Sequence, residues 1–315
     1  MPQYPDSGIG RRCFARRAST RKTLPVGTAK SGPPSLRRSA TTLSVATFAA
    51  AQLLRFVPRV KVSRAVGRLC ELSLPPRVSH WAMSTYSAVY GVNLAEAERP
   101  ARGYKSFDEF FTRRLKTNAR SIADSALVSP ADGRIVSAGA IVEKTTLLVK
   151  GQPYTTSELT GISGDADRYA NGHFAVIYLS PRDYHRVHAP VDGLITEVQA
   201  TDGDLFPVNS IGERHVPGLF VRNLRVAIAI DTECWGRVTV VMVGATIVGR
   251  ITVTALESAA PSPQPRLPSP VAVCRGDEIG IFHLGSTVVM LTEKRLPIAA
   301  EPRAVVYGQD LMGPR

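Results

Sequence analysis

The sequence predicts an α+β protein, and three observations carry that prediction. Apolar residues recur at helical spacing between Val60 and Leu94, short β-branched runs separated by turn signals follow Ala126, and the net positive charge is confined to the first 70 residues. With 315 residues and 44% hydrophobic content, the chain can bury a large core in one or two domains. Residues 1–70 hold eleven Arg, three Lys and a single acid, which accounts for the whole net charge of +13. The rest balances 25 basic against 25 acidic side chains, so the body is neutral and no nucleic-acid surface is expected.

Taken in order, residues 1–59 form a basic leader. Gly, Pro, Ser and Arg without hydrophobic periodicity predict a disordered or cleaved segment over residues 1–39. Its Arg-rich, acid-poor composition fits a transit peptide or a basic membrane-surface arm. The uncharged stretch Ala40–Leu54 is 15 residues long, short of the roughly 20 that span a bilayer as a helix, so an interfacial or marginal anchor is expected. Residues 60–125 read as a helical, membrane-contacting region. Its amphipathic helices, broken at Pro75-Pro76, carry basic faces that could serve packing onto the body or contact with a bilayer. A third short helix is predicted at Ser106–Phe111, where Ser106 and Glu109 have capping-box spacing. Residues 126–315 read as the catalytic β-rich domain, with an exposed Pro-rich loop over 259–270. The four cysteines are dispersed without a CxxC pair, which argues against disulfides and zinc.

Three segments of the β domain carry chemistry: Ser129–Gly133 (SPADG), Tyr184–Pro190 (YHRVHAP) and Leu284–Thr287 (LGST). Each supplies one member of a possible Asp132–His188–Ser286 relay, an arrangement recognised by geometry and not by chain order. His185 and His188 have an HxxH spacing, but no further ligand follows at a suitable distance, so no metal is expected. No GxGxxG fingerprint or P-loop is present.

These motifs, with FDEFFTRRLK (Phe107–Lys116), KGQPYTTSELTG (Lys150–Gly161), GDLFPVN (Gly203–Asn209), VGATIVGRI (Val243–Ile251) and GDEIGIFHLGST (Gly276–Thr287), closely resemble the membrane-bound phosphatidylserine decarboxylase family with an LGST cleavage motif. The resemblance covers most of residues 65–295. It implies a proenzyme that cuts itself between Gly285 and Ser286, giving a β chain (1–285) and an α chain (286–315) that stay together and could dimerise further. By that resemblance Ser286 is the nucleophile, His188 its base and Asp132 the group that orients the base. Gly285 suits the preceding position because it lacks Cβ and tolerates strained backbone. Ser286 becomes a covalent pyruvoyl group, the cofactor, which forms a Schiff base with phosphatidylserine and accepts electrons as CO₂ leaves, giving phosphatidylethanolamine. His185 is the candidate proton donor that follows.

The expected partner is a phospholipid membrane, either a bacterial cytoplasmic membrane or a mitochondrial inner membrane. The chain departs from the family pattern at Leu224, where Glu is usual, and at Arg275, where Lys is usual; the first removes a carboxylate and leaves a charge partner open. Two rival readings remain. One is a Ser-His-Asp lipid hydrolase, which would lack the GxSxG elbow. The other is a non-catalytic biotinyl- or lipoyl-like binding module, suggested by Ala189–Ile195 but without a lysine at the hairpin tip.

Overall fold

The computed structural model describes residues 59–142, 146–149, 151–162, 164–208, 215–246, 250–256, 267, 269–295, 298 and 301–312, all in one structural unit. The leader, the Ala40–Leu54 stretch and most of the Pro-rich loop lie outside these residues. The N-terminal periodicity resolves into helices α1 (Arg59–Glu71) and α2 (Pro76–Tyr90). Pro76 opens α2, where a missing N–H costs nothing, and Gly91 closes it in the left-handed conformation with its N–H on the Ser87 carbonyl. Helix α3 (Phe107–Phe111) is capped by Ser106 Oγ, which accepts from Glu109 N at 3.1 Å. The expected capping box is half formed, because the Glu109 carboxylate accepts from Lys105 N and leaves Ser106 N alone.

Thirteen strands follow among the described residues, with two short helices, α4 (Thr156–Thr160) and α5 (Leu219–Arg222). An eight-stranded antiparallel sheet has the order β10 (Val271–Val273), β6 (Gly193–Thr201), β7 (Arg225–Thr232), β8 (Gly236–Gly244), β12 (Ser286–Thr292), β4 (His173–Leu179), β1 (Gly133–Ala140), β13 (Arg303–Val305). A three-stranded sheet joins β5 (Arg186–His188), β11 (Glu278–His283) and β9 (Arg250–Val253), and β2 (Thr146–Val149) pairs with β3 (Gln152–Thr155).

The large sheet is buried on both faces. Val288 and Met290 of β12 join a core that includes Val187, Ile279 and Phe282 of the three-stranded sheet. Val289 and Leu291 join a second core with Leu159, Leu219 and Phe111 of the helices. This two-sided burial is why β12 reads STVVMLT, nearly continuous in apolar character and not alternating. Arg225, next to Leu224, is buried and spends its guanidinium on the Glu158, Leu159, Val221 and Asn223 carbonyls.

Candidate active site

Ser286 opens β12, opposite Gly244 on one neighbour and Leu179 on the other. Its Oγ is buried without a hydrogen-bond partner, and so is Thr287 Oγ1 beside it. Such orphaned groups are rare, because each forgoes water without recovering a bond. Immediately upstream, Leu284 has φ +84°, one of two non-glycine residues with positive φ among those described. A leucine held there stores roughly 1–3 kcal/mol of backbone strain. The geometry explains it: Leu284 and Gly285 alone carry the chain from β11 in one sheet to β12 in the other. The strain expected at Gly285 thus sits one residue earlier. Gly285 has no positive φ, and a Cβ on it would meet nothing within 4 Å.

His188, on β5, is buried against three groups. Its Nδ1 lies 2.7 Å from the Gly276 carbonyl, which only accepts, so Nδ1 carries the hydrogen. Nε2 is then the basic nitrogen, and it accepts from the Tyr184 hydroxyl at 3.2 Å. Burial pushes the Tyr184 hydroxyl pKa up and keeps it a donor, while burial lowers the His188 pKa and keeps the ring neutral. The Tyr307 ring stacks on the imidazole at 3.8 Å and 7°. Gly276 needs its left-handed backbone, φ +89°, to turn this carbonyl inward, and a Cβ there would come within 2.7 Å of Ile122.

Asp132 lies close by without touching His188. Its carboxylate accepts from Arg120 Nη2 at 2.6 Å and from Tyr307 N at 2.8 Å. Burial pushes its pKa up, opposed by Arg120 and the Tyr307 amide. Asp132, His188 and Ser286 are therefore all buried in one body, but neither an Asp132–His188 nor a His188–Ser286 hydrogen bond is formed.

His185 has different surroundings. It is fully buried, packs against Phe111 with ring centroids 4.1 Å apart and planes tilted by 45°, and donates from Nδ1 to the Asp183 carbonyl at 2.9 Å. Nε2 is left bare and unpartnered, and burial lowers the pKa to about 3. Arg113 reaches the same turn, donating to the Arg182 and Asp183 carbonyls. Arg186 is taken up by Thr112 O and Glu278, whereas Arg182 is largely exposed. Asp108 of α3 bonds His283 Nδ1 at 2.8 Å, tying the helical region to the strand that leads into Leu284.

The sequence names the three proposed relay residues and His185 but not Tyr184, Gly276, Arg120 or Tyr307, which hold His188 and Asp132. Tyr184 was within reach, since it opens the YHRVH segment. Gly276 reads only as a turn, and Tyr307 stands in a C-terminal stretch with no motif. No group of three metal-ligating side chains occurs among the described residues.

A family model described as phosphatidylserine decarboxylase matches residues 107–313. The phosphatidylserine decarboxylase proenzyme of Acinetobacter baylyi is 41% identical over 242 residues, covering 76% of this chain and 84% of its own. That of Psychrobacter cryohalolentis is 41% identical over 246 residues, covering 77% and 88%. The match runs through the strained Leu284–Ser286 turn, the buried His188 and the carboxylate of Asp132, and on this evidence the chain belongs to the phosphatidylserine decarboxylase family of pyruvoyl-dependent carboxy-lyases.

Proposed function

We propose that this chain is a proenzyme that cuts itself between Gly285 and Ser286 and then decarboxylates phosphatidylserine to phosphatidylethanolamine and CO₂. The observation that carries the reading is the Leu284–Ser286 turn: backbone strain is stored beside an unbonded, buried hydroxyl, with open space at the intervening glycine. These features fit the formation of a pyruvoyl group at residue 286. His188, neutral and with Nε2 as its basic atom, is the proposed acceptor of the Ser286 proton. To take that proton, Nε2 first has to leave the Tyr184 hydroxyl.

Ser286 Oγ bonds to the Gly285 carbonyl carbon, the peptide C–N bond breaks, and the proton held by the base passes to the freed amine, leaving an ester. Loss of the Ser286 α-hydrogen then expels Gly285 as a carboxylate. The dehydroalanine left behind takes up water and releases ammonia. The pyruvoyl carbonyl supplies the electron-accepting group that lets the substrate carboxylate depart. His185 is the proposed proton carrier for the step after CO₂ leaves. It enters that step neutral, so it delivers a proton collected within the site, such as one given up by the substrate ammonium.

The substrate is a two-chain lipid, and exposed apolar side chains on α1 and α2, among them Leu69, Val78, Trp81 and Val89, with Leu72 just after α1, support attachment to a membrane surface. Exposed Arg64, Arg68 and Arg77 accompany them and suit anionic headgroups. No helix among the described residues is long and apolar enough to cross a membrane.

Ser286→Ala tests the reading. The variant should purify as one uncut chain and form no phosphatidylethanolamine, read by intact mass and by lipid chromatography. An uncut variant that still decarboxylates overturns the proposal.

A further inference from the structure

We propose that Tyr307 is the positioning residue for His188, and that Asp132 acts on the base by fixing Tyr307 instead of bonding the imidazole. This rests on His188 being the base of self-cleavage.

Once Nε2 leaves the Tyr184 hydroxyl to take the proton, the hydrogen bond from Nδ1 to the Gly276 carbonyl fixes only one edge of the imidazole and leaves the ring free to rock about that bond. The Tyr307 ring, nearly parallel and 3.8 Å away, removes that freedom. Tyr184 contacts both rings at 5.6 Å, so the three aromatic groups form one cluster. The Tyr307 hydroxyl makes no hydrogen bond among the described residues, and the ring face is what acts.

Tyr307 is itself held by its backbone. Its N–H donates to Asp132 Oδ1, and the next two residues lock onto the same SPADG loop, with Gly308 N on the Ser129 carbonyl at 2.9 Å and Ser129 N on the Gln309 carbonyl at 2.8 Å. Arg120, paired with both Asp132 and Glu96, fixes the carboxylate in turn. Every link from Arg120 to the imidazole is thus a contact in the structure, whereas a direct Asp132–His188 bond is not. Since Tyr307 lies in residues 286–315, cleavage leaves the base on the large chain and its brace on the small one.

Besides Tyr184 and Tyr307, the groups facing His188 are Glu278 and Asp277, which favour its charged form, and Arg186, which opposes it. The Asp132–Arg120 pair lies beyond Tyr307. Burial outweighs them and lowers the pKa. Opening the Tyr307 face to water therefore raises that pKa, so the base becomes protonated at a higher pH.

The experiment follows cleavage of the freshly synthesised full chain against pH by electrophoresis, for the parent, Tyr307→Phe, Tyr307→Met and His188→Ala. Tyr307→Phe keeps the ring and should cut at the parental rate. Tyr307→Met fills a similar volume without a flat face, and should cut at least tenfold more slowly with its acid limb displaced to higher pH. Adding Asp132→Asn to Tyr307→Met should slow it no further. Parental cutting by Tyr307→Met, equal slowing at every pH, or full additivity with Asp132→Asn would each overturn the proposal. His188→Ala should leave the chain uncut. If it cuts, the assignment of the base fails, whereas an uncut His188→Ala beside an unaffected Tyr307→Met defeats the Tyr307 proposal alone.

Discussion

His185 and His188 stand three residues apart and face unrelated neighbours. His188 has both nitrogens engaged, so its tautomer is defined by a carbonyl and a phenol. His185 has one engaged nitrogen and one bare lone pair sealed from water. The difference separates the two steps of the proposed reaction. His185→Ala should still yield the two chains but lose about 100-fold or more in decarboxylation, in line with loss of a general acid–base group, measured as CO₂ release from the processed protein. A His185→Ala variant that fails to cut would assign the residue to processing instead. At this scale the sequence names the side chains proposed to react and hides what holds them. The anchors of His188 are a glycine carbonyl and a stacked ring far along the chain, and neither a backbone carbonyl nor a ring face leaves a mark in residue spacing. The strain shows the same limit: a glycine in LGST suggests flexibility there, but the jump between two sheets places the unusual φ on Leu284.

Helix α3 is only five residues long, yet it reaches two sides of the site. Asp108 holds His283 on the strand entering the Leu284–Ser286 turn, and Phe111 lies against His185. Phe111 is 2% exposed, so Phe111→Ala should destabilise the fold by about 3–5 kcal/mol and leave His185 without the ring packed against it. Thermal melting checks the first effect, and a matching drop in decarboxylation at temperatures where the variant remains folded checks the second. An unchanged melting point would mean that the helix is not part of the cooperative core. The existence of these helices was legible because Pro75-Pro76 and Ser106 are local signals that act within one turn. Strand order was not. Placing β12 between β8 and β4 depends on packing across distant segments, and a run such as STVVMLT, apolar on both faces, carries no alternation from which to read its register.

Across the whole molecule, charge and apolar exposure coincide at the N-terminal helices, while the β-rich body is neutral. Trp81 is 69% exposed on α2 although Met83, two residues on, is buried. Trp81→Ala should weaken sedimentation with anionic phospholipid vesicles several-fold and leave activity on detergent-dispersed substrate intact; unchanged vesicle binding would place the membrane contact elsewhere. The same large-scale view bears on β12, whose seven residues are in register with β8 on one edge and β4 on the other. A break just before Ser286 leaves that strand sewn in along both sides, near the middle of the sheet and not at its border. The short fragment cannot depart without parting the sheet, and a fresh one has no open edge at which to enter. Under the proposed self-cleavage, each molecule thus acquires its reactive end group once. If that group is chemically spent, the catalyst cannot be repaired by exchanging fragments, and lost capacity is restored only by newly synthesised chains.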